Sequence, residues 1–181
     1  MMPAESEVRY VAPRFRVVRR VQQTGDGVGL VREIVEHNGA VAIVPIVGAD
    51  QVCLIRNYRI AVGTTLWEIP AGTLEPDEPP LDNARRELIE ETGYRADRLE
   101  KFGELWMSPG ILDERMHLFV ATGLVAGPTA LEAGEEIESV VVPWDEALAM
   151  IDRGEIQDAK TVAGLLAYDR IRRKNGTPPT P

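Results

Sequence analysis

The chain has 181 residues, 44% of them hydrophobic, and a formal net charge of −9; that is enough for one compact domain, or a core domain with a small attachment. The acidic balance argues against a nucleic-acid partner, which needs a basic surface, and against a phosphorylated ligand unless cations stand between ligand and protein. A single cysteine, Cys53, excludes an intrachain disulfide framework and a thiolate zinc cluster and fits a reducing, cytoplasmic setting, and no apolar run approaches the ~18 residues of a spanning helix, so no membrane partner is expected.

Residues 1–13 are polar and proline-punctuated, lack the apolar core of a secretory signal, and read as a loose arm. "FRVVRRVQQ" (Phe15–Gln23) and "LVREIVEHN" (Leu30–Asn38) are β-rich runs around the turn "TGDGVG", which predicts a hairpin. "AVAIVPIV" (Ala40–Val47) and "QVCLIRNYRI" (Gln51–Ile60), separated by "GAD", predict a second hairpin with a more buried pattern; Cys53 lies inside it as a small core residue. "TTLWEIPAG" reads as a short strand ending in a tight turn. A helix is predicted from about Pro80 to Thr92, with prolines at its entry and Gly93 just past its end. Strands follow at "LEKFGELWMS", "RMHLFVATGLV" and "ESVVVPW". Two amphipathic helices come next, "PWDEALAMIDRG" and "DAKTVAGLLAYDRIRRK", with Asp145 and Asp158 near their starts; the tail, residues 175–181, reads as disordered. Strands and helices mix without a βαβα rhythm, so the class expected is α+β.

The helix from Pro80 to Thr92 carries the chemistry. At 100° per residue Leu81, Ala84, Leu88 and Thr92 form the stripe expected to face the core, and Glu87, Glu90 and Glu91 fall together on its flank. Like charges at that spacing cost a few tenths of a kcal/mol per pair in water. A solvated acidic face is the ordinary explanation. Against it, Arg85 and Arg86 precede the cluster instead of following it, and the turn "PAG" lies nearby with a backbone carbonyl to offer. Oxygen-only, mostly anionic donors suit Mg²⁺ or Mn²⁺, and a divalent cation would join an acidic site to a diphosphate.

Gly72, Glu78, Arg86, Glu87, Leu88, Glu90, Glu91, Gly93 and Tyr94 match every position of the Nudix box: G, five residues, E, seven residues, R-E, an aliphatic, any residue, E-E, any residue, G, an apolar residue. A random window matches with a chance on the order of one in a billion, so the motif decides the resemblance by itself. The chain resembles Nudix hydrolases. The resemblance implies an α/β/α sandwich with mixed β-sheets and cleavage of a nucleoside diphosphate linked to a further group. "RNYRIAVGTTLWEIPAGTLE" resembles the stretch before the box in the ADP-ribose pyrophosphatase and nucleotide-sugar branch, apart from Asn57, where glutamine is commoner. "SPGILDE" with Pro109, and "GEIQDAKTVAGLL", resemble that branch too, so the likeness runs from about Phe15 to Ala167.

By the family pattern Glu87 and Glu91 are metal ligands, joined by the Ala71 carbonyl, with Glu90 a ligand or a neighbour of one. Two or three Mg²⁺ ions, or Mn²⁺, are implied. Arg86 is expected to orient a box glutamate and Glu78 to hold Arg86, while Gly72 lets the loop turn and Gly93 caps the helix. Glu114 is the carboxylate expected to act on the attacking water, with Asp113 the alternative. Arg59 is the expected phosphate binder. Arg56 and Glu68 are candidates for phosphate or base contacts, or else a salt pair on one strand face. Trp67 reads as packing, Trp106 as packing or an adenine wall, and His37 and His117 as surface and strand residues. The implied reaction is hydrolysis of ADP-ribose to AMP and ribose 5-phosphate; a GDP- or UDP-hexose pyrophosphatase is the alternative, and a non-catalytic ADP-ribose sensor is disfavoured by the intact box. Residues 1–38 are expected to be an arm and hairpin that pair two subunits into a homodimer, and 39–174 the hydrolase domain.

Overall fold

The computed structural model describes residues 6–23, 25, 29–131, 136–174 and 176. Its first three strands, β1 (Ser6–Val11), β2 (Phe15–Gln23) and β3 (Gly29–His37), form an antiparallel sheet of their own. The predicted β2–β3 hairpin is present, from Phe15↔His37 to Gln23↔Gly29. The arm is a correction: Ser6–Val11 is a strand on β2, not a loose segment. Its six residues are all exposed, so no half-buried alternation announces it. Most of the "TGDGVG" turn and of the tail lies outside the described residues.

A seven-stranded mixed sheet follows, in the order β10-β5-β4-β9-β8, from β4 (Ala40–Val47), β5 (Gln51–Arg59), β8 (Arg95–Trp106), β9 (Arg115–Val125) and β10 (Ile137–Pro143). Two short strands join it, β6 (Thr64–Glu68) on β5 and β7 (Ala71–Thr73) on β4. β4 is its hub. Residues 46 and 47 pair antiparallel with β5, whereas Ala40 to Pro45 pair parallel with β9, Ala40 opposite Met116. The predicted second hairpin is therefore real only at its turn, and Pro45, which has no N–H to give, sits where the partners change.

Helices cover both faces, and the side chains of β4 and β9 alternate between them. Val41, Ile43, Phe119 and Ala121 meet Ala84 and Leu88 of α1 (Pro80–Thr92). Ala42, Val44, Leu118 and Val120 meet Trp144, Ala147, Met150 and Leu165 of α2 (Trp144–Asp152) and α3 (Ala159–Lys174). A strand buried on both faces reads as one apolar run, as β4 does. This is the expected α/β/α sandwich. Leu88 is sealed, a burial worth about 1.5–3 kcal/mol. Leu81 departs from its predicted stripe and is exposed, at the second position of α1. Cys53 is fully buried and burial pushes its thiol up to about 12, as an inert core residue requires.

Candidate active site

The helix that carries the acidic cluster begins on proline geometry and ends on glycine geometry. Pro79 is extended (φ −62°, ψ 135°), and Gly93 is left-handed at φ 73° and donates its N–H to the Ile89 carbonyl at 2.9 Å. A Cβ on Gly93 would also lie 2.2 Å from the Gly127 carbonyl, so conformation and space both require glycine. With both ends fixed and Leu88 locked in the core, Glu87, Glu90 and Glu91 face β7. There they line a cleft of about 470 Å³ between β5, β7, α1, the loop before β9 and the start of α3.

Gly72 stands against this wall for a different reason from the one expected. A Cβ there would lie 1.9 Å from the Glu87 carboxyl carbon, so the glycine provides room for the carboxylate. Glu91 is buried and accepts the Ala71 N–H at 2.9 Å, which places the carbonyl and the carboxylate of the predicted donor set side by side. Arg86 is better placed than its sequence position suggested. One guanidinium nitrogen lies 2.9 Å from Glu87 and 2.8 Å from Glu90, and the others donate to both oxygens of Glu78 at 3.2 and 3.3 Å. Its bidentate partner is thus Glu78, and a positive charge already stands between two acids of the cluster. Partial burial opposes protonation of Arg86, but Glu78, Glu87 and Glu90 outweigh it and hold the group charged more firmly than usual. Glu78 also accepts from the buried Asn83 side chain at 2.6 Å; the Arg86 hydrogen bonds foremost keep its carboxyl below the usual range.

Among the described residues no three acids, histidines or cysteines stand in ligand geometry. Arg86 draws Glu87 and Glu90 toward itself, and the Ala71 N–H holds Glu91. The donors themselves fit a hard divalent cation: carboxylates and one backbone carbonyl, all oxygen, on one wall of one cleft.

The opposite wall is cationic. Arg59 donates to both oxygens of Glu68 at 2.7 and 2.6 Å, and Lys160 of α3 binds the same carboxylate. Glu68 has no exposure at all. Burial alone would raise its pKa, but Arg59 and Lys160 hold it below the carboxylate norm. It therefore stands behind Arg59 and does not face the cleft. Lys160 also lies 3.0 Å from Asp158, which caps α3 by accepting the Thr161 N–H at 3.0 Å. The sequence reading did not single out Lys160. The one available signal was a lysine two residues after a helix-capping aspartate, which is common on ordinary helix starts.

Arg56 is not brought to the cleft. Strand alternation turns Asn57 and Arg59 inward, whereas Arg56 packs over the Trp67 ring at 5.4 Å and lies 3.5 Å from Glu138. It forms its salt pair with Glu138, not with Glu68. Trp67 packs against the core as expected, and Trp106 is half-exposed under Arg115, outside the cleft lining. His117 lies on β9, 3.3 Å from Glu104; His37 ends β3. The two loop acids separate cleanly. Glu114 lines the cleft, whereas Asp113 turns away and accepts the His37 backbone N–H at 2.8 Å.

Residues 36–165 match the NUDIX domain. The chain is 41% identical over 133 residues to the methanol dehydrogenase activator of Bacillus methanolicus, covering 72% of each protein. It is 40% identical over 170 residues to the ADP-ribose pyrophosphatase of Mycobacterium tuberculosis, covering 92% of this chain and 82% of the relative. The GDP-mannose pyrophosphatase of Cronobacter sakazakii is 40% identical over 162 residues, 83% of each. Among solved structures, an ADP compounds hydrolase superposes with a TM-score of 0.82 at 26% identity, covering 98% of both chains.

Proposed function

This chain belongs to the NUDIX family, and from that premise we propose that it is an Mg²⁺-dependent pyrophosphatase that cleaves ADP-ribose to AMP and ribose 5-phosphate. One observation carries the reading: a single cleft sets three box glutamates on one wall and Arg59 with Lys160 on the other. A diphosphate needs both, a cation on its acidic side and fixed positive charge on the far side.

Glu87, Glu90, Glu91 and the Ala71 carbonyl would hold Mg²⁺, two or three ions in all, with Mn²⁺ as a substitute. When bound, the cation neutralises charge that develops on the diphosphate and makes water a better nucleophile. The protein's own residues do the rest. Arg59 binds a phosphate oxygen, and Glu68 fixes the direction in which Arg59 points. Arg86 keeps Glu87 and Glu90 aimed into the cleft while Glu78 braces it from behind. Glu114 accepts the proton of the attacking water. The single buried cysteine suits a reducing compartment, and cytoplasmic action is part of the proposal. No helix among the described residues is long and apolar enough to cross a membrane.

The likeness to a GDP-mannose pyrophosphatase favours a second reading, hydrolysis of a GDP- or UDP-hexose, because the box specifies the reaction and not the leaving group. A panel of ADP-ribose, GDP-mannose and UDP-glucose with Mg²⁺, compared by kcat/KM with the nucleoside monophosphate released (AMP, GMP or UMP) as the product followed, tests the assignment. Higher efficiency on GDP-mannose would replace the first reading with the second. For the base, Glu114→Gln is expected to keep substrate affinity and lose 10²–10⁴-fold in kcat, a typical cost of general-base removal. Full kcat in that variant moves the role to another carboxylate, with Glu90 the next to substitute.

A further inference from the structure

Asp113 and Glu114 are neighbours in the loop before β9, yet they face opposite ways. That loop is not held by the domain that contains the cleft alone. The Val35 N–H of β3 donates to the Ile111 carbonyl at 2.8 Å, and the Asp113 N–H returns a hydrogen bond to the Val35 carbonyl at 3.0 Å. Leu112 forms a parallel bridge with Val35 between them. The Asp113 carboxylate then accepts the His37 N–H at 2.8 Å and lies 3.8 Å from Arg20 of β2. On the other side of the loop the Glu114 carbonyl accepts the Met107 N–H at 3.2 Å. Its carboxylate, about one-fifth exposed, lies 3.9 Å from the His37 ring.

The chain therefore alternates along this segment as a strand does: what fixes Asp113 outward turns Glu114 inward. We propose that Asp113 is a positioning residue, and that through it the β1–β3 sheet sets the direction of Glu114 in the cleft. The proposal rests on the reading that Glu114 works on the substrate. It adds that the N-terminal sheet is a working part of the site. The requirement on Asp113 is for an acceptor oxygen at the end of a short side chain, and not for a charge or a proton. Asparagine keeps that oxygen; alanine and serine do not reach.

The test is a double-mutant cycle on the full-length protein with Mg²⁺ and the better of ADP-ribose and GDP-mannose. D113A is expected to lose about tenfold or more in kcat/KM, as a misplaced group does, with its dependence on Mg²⁺ concentration unchanged. D113N is expected to restore most of that loss. In an E114Q background, D113A is expected to cost no more than about twofold further, since a group that acts only through Glu114 has nothing left to position. A thermal melt of each variant separates loss of fold from loss of placement, and D113S replaces D113A if the latter does not fold. Fully additive losses, a silent D113A, or a D113N as crippled as D113A overturn the proposal. A silent E114Q overturns it from the other side, and identifies the role given to Glu114 as the failed premise.

Discussion

At the scale of single residues, the site combines charges that would not tolerate one another without help. Glu91 is buried beside Glu87 and held by the Ala71 N–H. Glu91→Gln keeps the shape and removes an anionic donor, so on the proposed mechanism it is expected to lower kcat of order 10³-fold, about 4 kcal/mol of transition-state stabilisation. The melting temperature should hold or rise, because one repulsive charge is gone. Near-wild-type turnover at saturating Mg²⁺ would falsify the ligand assignment. Gly72→Ala tests geometry without touching a charge. The new methyl occupies the space of the Glu87 carboxylate, and overpacking of this kind typically costs 1–3 kcal/mol. Activity should fall far more than stability does, read as kcat/KM against a urea midpoint, since the Glu87 side chain is the atom group that must move. If stability and activity fall in proportion, the glycine serves the fold and not the carboxylate.

At the scale of elements, a local hairpin and a distant helix meet on one carboxylate: Glu68 ends β6, Arg59 ends β5 and Lys160 opens α3. Thr161 adds a second tie, accepting the Ile69 N–H at 2.9 Å. Glu68→Gln leaves two cations without their buried partner, a loss expected to be about 3–5 kcal/mol. It should also change the acid limb of stability. The folded pKa of Glu68 lies below its unfolded value of 4.5. Between those two values the unfolded chain binds more protons, so the stabilisation is complete above 4.5 and is lost as pH falls through the folded pKa. Glu78 and Glu36, also held low, contribute in the same direction. Urea midpoints from pH 7 down to pH 3 should drop more shallowly in Glu68→Gln than in the wild type; parallel curves would remove Glu68 from the account. This convergence also shows where sequence reading stops. The limits of α1, Pro80 and Thr92, were legible because proline, glycine and a 3.6-residue apolar stripe are local signals. The box glutamates were legible because their spacing is itself a motif. The Glu68–Lys160 contact spans 92 positions with no periodic trace, and β1 is exposed throughout, without the half-buried alternation that marks a strand. The Arg56–Glu68 pair fails on register: Arg56 stands opposite Trp67 and Glu68 opposite Ile55, so alternation puts the two on opposite faces and Arg59 on the face of Glu68, while only tertiary packing brings Lys160 in.

For the whole molecule, the three-stranded sheet stands outside the sandwich and shows water an apolar set: Val8, Tyr10, Val11, Phe15 and Val31 are all exposed. A small open sheet gains little from leaving such groups in solvent. We propose, as the sequence led us to expect, that this sheet pairs with a second copy of the chain. Sedimentation at micromolar concentration is expected to give a dimer, and Val11→Asp with Tyr10→Ser to shift it toward monomer with loss of activity. A fully active monomer of the unaltered chain sinks the idea.

The parallel pairing of β4 with β9 has a consequence for the birth of the protein. Ala40 leaves the ribosome roughly 75 residues before Met116, the partner it must meet. At ~5–20 residues per second that is a wait of about 4–15 s. Through it, a strand apolar on both faces has a two-residue grip on β5 and, once residue 73 is made, three pairs with β7, and no partner yet along the edge that β9 will cover. Loop closure over that distance cannot be rewarded before β9 is made. The nascent chain is thus most prone to stick to its neighbours midway through synthesis. Slower, cooler translation, or a chaperone that covers β4 for those seconds, would raise the yield of folded protein without altering a single contact in the finished structure.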